Sequence, residues 1–123
     1  MRFNVLLVAS LLLASPVLAE DYEKGPNGGL MLDVAGIDAE LLTAGTKVTI
    51  NVFDANKPVP LPTKGFTAAV LIVSSGGRET VALAPSGDNS LTGEAKAAIA
   101  PDATVTLTIR TAAGKSGQVK FRK

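Results

Sequence analysis

Five side chains of this sequence combine types and spacings that could do chemistry: the carboxylates of Asp33, Asp38, Glu40 and Asp54, and the carboxamide of Asn27. Asp38 and Glu40 stand two apart, so an extended chain projects both from one face. Oxygen ligands of this kind suit a hard cation, and Asn27, Asp38, Glu40 and Asp54 form the candidate metal set. The same Asp38–Glu40 pair would work as acid and base if burial separated the two pKa values. Solvated surface carboxylates are the plainer reading, and the spacing matches no EF-hand or other calcium loop. Gly25-Pro26-Asn27-Gly28-Gly29, which carries the carboxamide, reads either as a turn-forming loop or as a place where backbone approaches another group closely.

The sequence contains no His and no Cys. Those absences remove the usual zinc and copper ligands, the Cys and His nucleophile–base pairs, and any disulfide staple. Serines are plentiful, yet without His no Ser-His-Asp triad can assemble, and no Ser-x-x-Lys occurs. The expectation is therefore a protein that is not an enzyme and holds no cofactor.

Met1-Arg2-Phe3-Asn4 places a charge before the apolar run Val5–Leu13, and Val17-Leu18-Ala19 supplies small residues before Glu20. This is the pattern of a secretory signal peptide, and it predicts cleavage after Ala19 and a periplasmic address. The run is shorter than the roughly 20 apolar residues a spanning helix needs, and no later stretch approaches that length. Residues 20–28 are expected as a flexible N-terminal segment and 29–123 as a single domain. Of twelve Lys and Arg residues, Arg2 leaves with the leader, so eleven balance the eleven Asp and Glu residues. No basic stripe marks a nucleic-acid partner, and Trp is absent.

Positioning falls to strands. Lys47–Phe53 and Thr104–Arg110 alternate apolar and polar residues with a period of two. Weaker strands are expected over Leu30–Val34, Asp38–Thr43, Thr67–Val73, Glu79–Ala84, Ser90–Ala95 and Gln118–Arg122, separated by turn formers such as Ser75-Gly76-Gly77 and Gly87-Asp88-Asn89. The apolar run Val70–Val73 suits a central strand covered on both sides. Glu94–Ala100 has helical propensity but meets Pro101, so a strand end followed by a loop is expected. The alternating prolines of Lys57–Pro62 read as an extended connection, and in Lys120-Phe121-Arg122-Lys123 the aromatic ring is expected inward with its cationic neighbours outward. Seven or eight antiparallel strands in about 100 residues predict an all-β sandwich, immunoglobulin-like or fibronectin-type-III-like, with a small closed barrel as the alternative.

Several stretches in order carry a resemblance: Gly25-Pro26-Asn27-Gly28-Gly29; Ala39-Glu40-Leu41-Leu42; Val52-Phe53-Asp54 with Lys57-Pro58-Val59; Val81–Pro85 with Gly87–Gly93; and Gln118–Phe121. Together they resemble a family of small periplasmic proteins associated with heavy-metal efflux systems and related to segments of efflux membrane-fusion proteins. In that family the first motif is commonly Pro-His-Gly-Gly, and further histidines precede the Glu-Leu motif and follow the Asp of the third strand. The matching positions here hold Asn27, Asp38 and Ala55. Their departure from the pattern weighs against soft-metal binding, because Asn and Asp oxygens favour hard cations. The resemblance implies an envelope or efflux-system partner.

The expectation for function is thus a non-enzymatic periplasmic binding or interaction module, accessory to envelope metal transport or metal-stress response. The alternatives are a metal-binding module using oxygen ligands and a purely structural envelope protein.

Overall fold

A computed structural model describes residues 23–57 and 59–122; the expected leader and residues 20–22 lie outside the described residues. The described chain is all β, with no helix. Nine strands follow in sequence: β1 (Glu23–Lys24), β2 (Leu30–Val34), β3 (Ile37–Ala44), β4 (Lys47–Asp54), β5 (Thr67–Ser74), β6 (Gly77–Ser86), β7 (Ser90–Glu94), β8 (Thr104–Arg110) and β9 (Ser116–Arg122). All pairings are antiparallel, in the order β1-β2-β3-β4-β7-β6-β5-β8-β9. Eight strands stand where alternation and turn residues place them, and Leu30–Val34 and Thr104–Arg110 keep their bounds. The ninth, β1, is two residues long and too short to show a period.

Alternation becomes burial on one side of a curled sheet. Ala39 and Leu41 of β3, Val48, Ile50 and Val52 of β4, Val70 and Ile72 of β5, and Val105, Leu107 and Ile109 of β8 join one apolar cluster. Phe121 is inward and fully buried, while Lys120 and Arg122 are exposed. Burying each Val, Leu, Ile or Phe side chain among these contributes about 1.5–3 kcal/mol, so the curl keeps a large apolar area from water in the absence of any disulfide.

The curl turns on β6. Its early residues pair with β5, from Ala68↔Leu83 to Ser74↔Gly77, whereas Ala84, Pro85 and Ser86 pair with β7. Where β7 passes, Gly93 lies so close to the Ala82 carbonyl and the Val81 and Leu83 side chains that a Cβ there would clash. β2, next to the short edge strand β1, and β9, at the other edge, also come together. Gly117 of β9 leaves room for Val34 and for the backbone of Ala35, yet the described residues form no β2–β9 ladder.

Two connections are tied to the sheet. Residues 59–61 run back alongside the end of β4, with Asp54 N–H donating to Val59 O (2.9 Å) and Leu61 N–H to Val52 O (3.0 Å). Phe53 bridges Pro60 and is buried although it lies on the outward side of β4. After β7 the chain is a loop, held by Lys96 N–H on the Glu79 carboxylate (2.8 and 3.1 Å).

One expectation changes. The run Val70–Val73 is central in pairing, between β6 and β8, but it is not covered on both sides. Val70 and Ile72 enter the core, Leu71 is half-buried and Val73 is 39% exposed. Its apolar outward residues need another explanation than a second covering layer.

Candidate functional site

The sequence-derived candidates fall on the β2–β3–β4 end of the sheet, and the register sorts them. Met31, Glu40 and Asn51 share one cross-strand row, and Asp33, Asp38 and Phe53 the next, both on the outward side. Asp38 and Glu40 therefore do share a face. Asp54 pairs with Ile37 and belongs to the opposite side at the strand end.

Glu40 is fully buried. Its carboxylate is capped by the loop between β1 and β2: Asn27 N–H donates to Oε2 (2.9 Å), Gly29 N–H to Oε2 (2.8 Å), and Asn27 Nδ2 to Oε1 (2.9 Å). The loop is itself closed, with Gly25 N–H donating to Gly29 O (2.7 Å) and Gly28 N–H to Gly25 O (3.0 Å). Glycine is required for the approach. A Cβ on Gly25 would overlap the Glu40 carboxyl group, and one on Gly29 would meet the Leu41 carbonyl oxygen. The close-approach reading of Gly25–Gly29 thus describes the structure, and the approaching group is the chain's own carboxylate. Of residues 20–28, expected as a flexible segment, Glu23–Lys24 form β1 and 25–28 lie in this closed loop.

Charge-assisted hydrogen bonds of this type are the strong ones, and three donors aimed at one carboxylate surround it with positive dipole ends. A cation would have to displace those donors. Beside it, Asn51 Oδ1 accepts from Ser90 Oγ (2.5 Å), so the buried polar row continues into β7.

The second group lies one row further along. Asp33 and Asp38 are direct cross-strand partners, brought together by the turn at Ala35 (φ 53°) and Gly36 (φ 84°). Two positive φ values in a two-residue connection are the hairpin geometry that matches strand twist. The Asp38 carboxyl is pushed up to about 7, first by burial, then by a side-chain hydrogen bond with Asp33 and by the charges of Asp33, Glu23 and Asp54. The Asp33–Asp38 pair thus resists carrying two full negative charges near neutrality. A cleft of about 380 Å³ opens here, lined by Glu23, Met31, Leu32, Asp33, Asp38 and Ala55.

The candidate metal set Asn27, Asp38, Glu40 and Asp54 is thus divided between two places. Asn27 and Glu40 bond to each other, Asp38 pairs with Asp33 beside Glu23, and Asp54, at the strand end, only adds its charge to theirs while its Oδ1 accepts from Asn56 N–H (2.8 Å). Among the described residues, no three or more His, Cys, Asp or Glu side chains are arranged to hold a metal ion. Asp33 as the partner of Asp38 was recoverable in principle: Ala35-Gly36 is a two-residue turn signal, and counting outward from it pairs the two aspartates. Compared with known proteins, the chain matches no family model, no curated protein and no solved structure.

Proposed function

We propose that this chain is a non-enzymatic binding or interaction module of the periplasm, acting through exposed faces of its sheet. The observation that carries the reading is the separation of charge between those faces. The outward side of the β1–β2–β3 end presents Glu23, Asp33 and Asp38. On the outward positions of β6, β5, β8 and β9 the charged residues are Arg78, Arg110, Lys120 and Arg122, with no acid among them. A near-neutral chain that sorts its charges in this way meets partners by complementary potential.

The leader pattern supports export, and the resemblance to small periplasmic proteins of heavy-metal efflux systems supports a role as accessory to envelope metal transport or metal-stress response. For the fold we propose the immunoglobulin-like or fibronectin-type-III-like sandwich, supported by the passage of β6 from one set of strands to the other. The deciding experiment is crosslinking in the periplasm followed by recovery of the tagged chain. One reproducible envelope protein is the expected result; recovery of the chain alone, native and crosslinked, rejects the interaction role.

A second reading, a module binding a hard cation through oxygen, is favoured by the Asp33–Asp38 pair and its cleft. Calorimetry with Ca(II), Ni(II), Cu(II) and Zn(II) tests it. Heat and a thermal shift that Asp38→Asn removes would support this reading, and no response at millimolar metal would end it.

A further inference from the structure

The open face of β6–β5–β8–β9 has a composition that solubility alone does not demand. Its middle is apolar or methyl-bearing: Ala69, Leu71 and Val73 of β5 stand opposite Thr108, Thr106 and Thr104 of β8. Cations flank that middle. Arg78 opposes Val73 from one side, Lys120 and Arg122 oppose Thr106 and Thr104 from the other, and Arg110 opposes Thr67 at the end of β8. Four strands at about 4.8 Å spacing make the patch roughly 14 Å across between outer strands. Val73 is exposed and Leu71 half-buried, so a docking partner would remove both from water.

We propose that this face is a docking surface for an anionic lipid bilayer, with the cations meeting headgroup phosphates and the β5–β8 strip resting on the interface. The proposal rests on the binding-module reading and names its partner's chemistry. Two observations favour a bilayer over other anions. The outward residues span four adjacent strands, with one open hollow of about 320 Å³ beside Thr67, Ala69, Thr108 and Arg110, and none of the outward positions is aromatic, so stacking platforms for single-stranded nucleic acid are lacking. A second copy meeting the same face would set cations against cations. Edge protection against strand pairing accounts for Lys120 and Arg122 on β9. It does not account for Arg110 on β8, which has strands on both sides, or for the apolar strip between the charges.

Sedimentation of the full chain with vesicles tests the proposal, comparing neutral phosphatidylcholine with the same lipid carrying phosphatidylglycerol. The apolar leader contributes alike to every variant, so the readout is the difference between vesicle types. Parent protein should prefer the anionic vesicles, and the preference should weaken as salt rises. Arg78→Gln and Arg110→Gln should each reduce that preference about fivefold, and Lys24→Gln, on the opposite part of the sheet, should leave it unchanged. Unchanged thermal unfolding of the arginine variants shows that the fold is kept. Equal partition of parent and arginine variants overturns the proposal. So does displacement from vesicles by duplex DNA or polyphosphate at equal charge, which would make the face a reader of soluble polyanions. A chain that captures an envelope protein but ignores anionic vesicles rejects this inference and leaves the binding-module reading standing.

Discussion

The outward sides of β3–β4 and of β5–β8 end in opposite states. On β3 and β4 the outward residues Glu40, Asn51 and Phe53 are all buried: the glycine loop before β2 caps Glu40, Ser90 of β7 donates to Asn51, and Pro60 pairs alongside Phe53. On β5 and β8 the outward residues include Leu71, Val73 and threonines, and they remain partly or fully accessible. Residue type thus misleads on both sides: a carboxylate is inside and a valine outside. At Glu40 what decides is a loop of suitable chemistry that returns over the strand. Three hydrogen-bond donors make it favourable to cover Glu40.

The largest test of this contrast removes the buried carboxylate. Glu40→Ala leaves Asn27 N–H, Asn27 Nδ2 and Gly29 N–H without their acceptor and should cost about 3 kcal/mol in urea unfolding. A loss below 0.5 kcal/mol, on the scale of ordinary surface changes, would show that the loop is not held by that group. Gly25→Ala should follow at about 2 kcal/mol, because its methyl group would occupy the carboxylate's place. Amide exchange in residues 25–29 should rise in the same variant, and unaltered exchange would contradict the close-approach account.

A smaller effect concerns the neighbouring aspartates. Asp38 binds its proton more tightly folded than unfolded, so its contribution to stability is fully present below pH 3.8 and is lost as pH rises towards and through about 7. Glu23 from β1, Asp33 from β2 and Asp54 from β4 all oppose its ionisation. Asp38→Asn should therefore gain on the parent as pH is raised from 5 to 8. Parallel stability curves for parent and variant over that range would refute the assignment. The smallest effect belongs to the open face: Leu71→Ser should change stability by less than about 1 kcal/mol, whereas Leu107→Ala, facing the core from β8, should cost about 2–5 kcal/mol. Equal losses at the two positions would erase the distinction between the faces.

Period-two alternation made β4 and β8 legible, because each buries a continuous set of apolar residues on one side and a one-residue slip would expose them. It could not give the order of strands. That β4 pairs with β7 rather than β5 depends on Ile50 meeting Leu91, a contact 41 positions apart in sequence. The shared face of Asp38 and Glu40 followed from their spacing alone. Their different fates did not, since Glu40 meets a loop whose return depends on Gly25 and Gly29, while Asp38 meets Asp33 through a turn. Asn27 was legible as unusual, but its role as donor to the chain's own carboxylate required the loop to be seen closed.

Strand β9 meets β2 and the turn after it at Gly117, close to Val34 and Ala35, and no ladder joins β2 to β9 among the described residues. Such a join behaves like a lapped collar rather than a welded ring. Separating it exposes a little apolar area but ruptures no described inter-strand ladder, so the sheet resists opening less at this line than between its hydrogen-bonded strands.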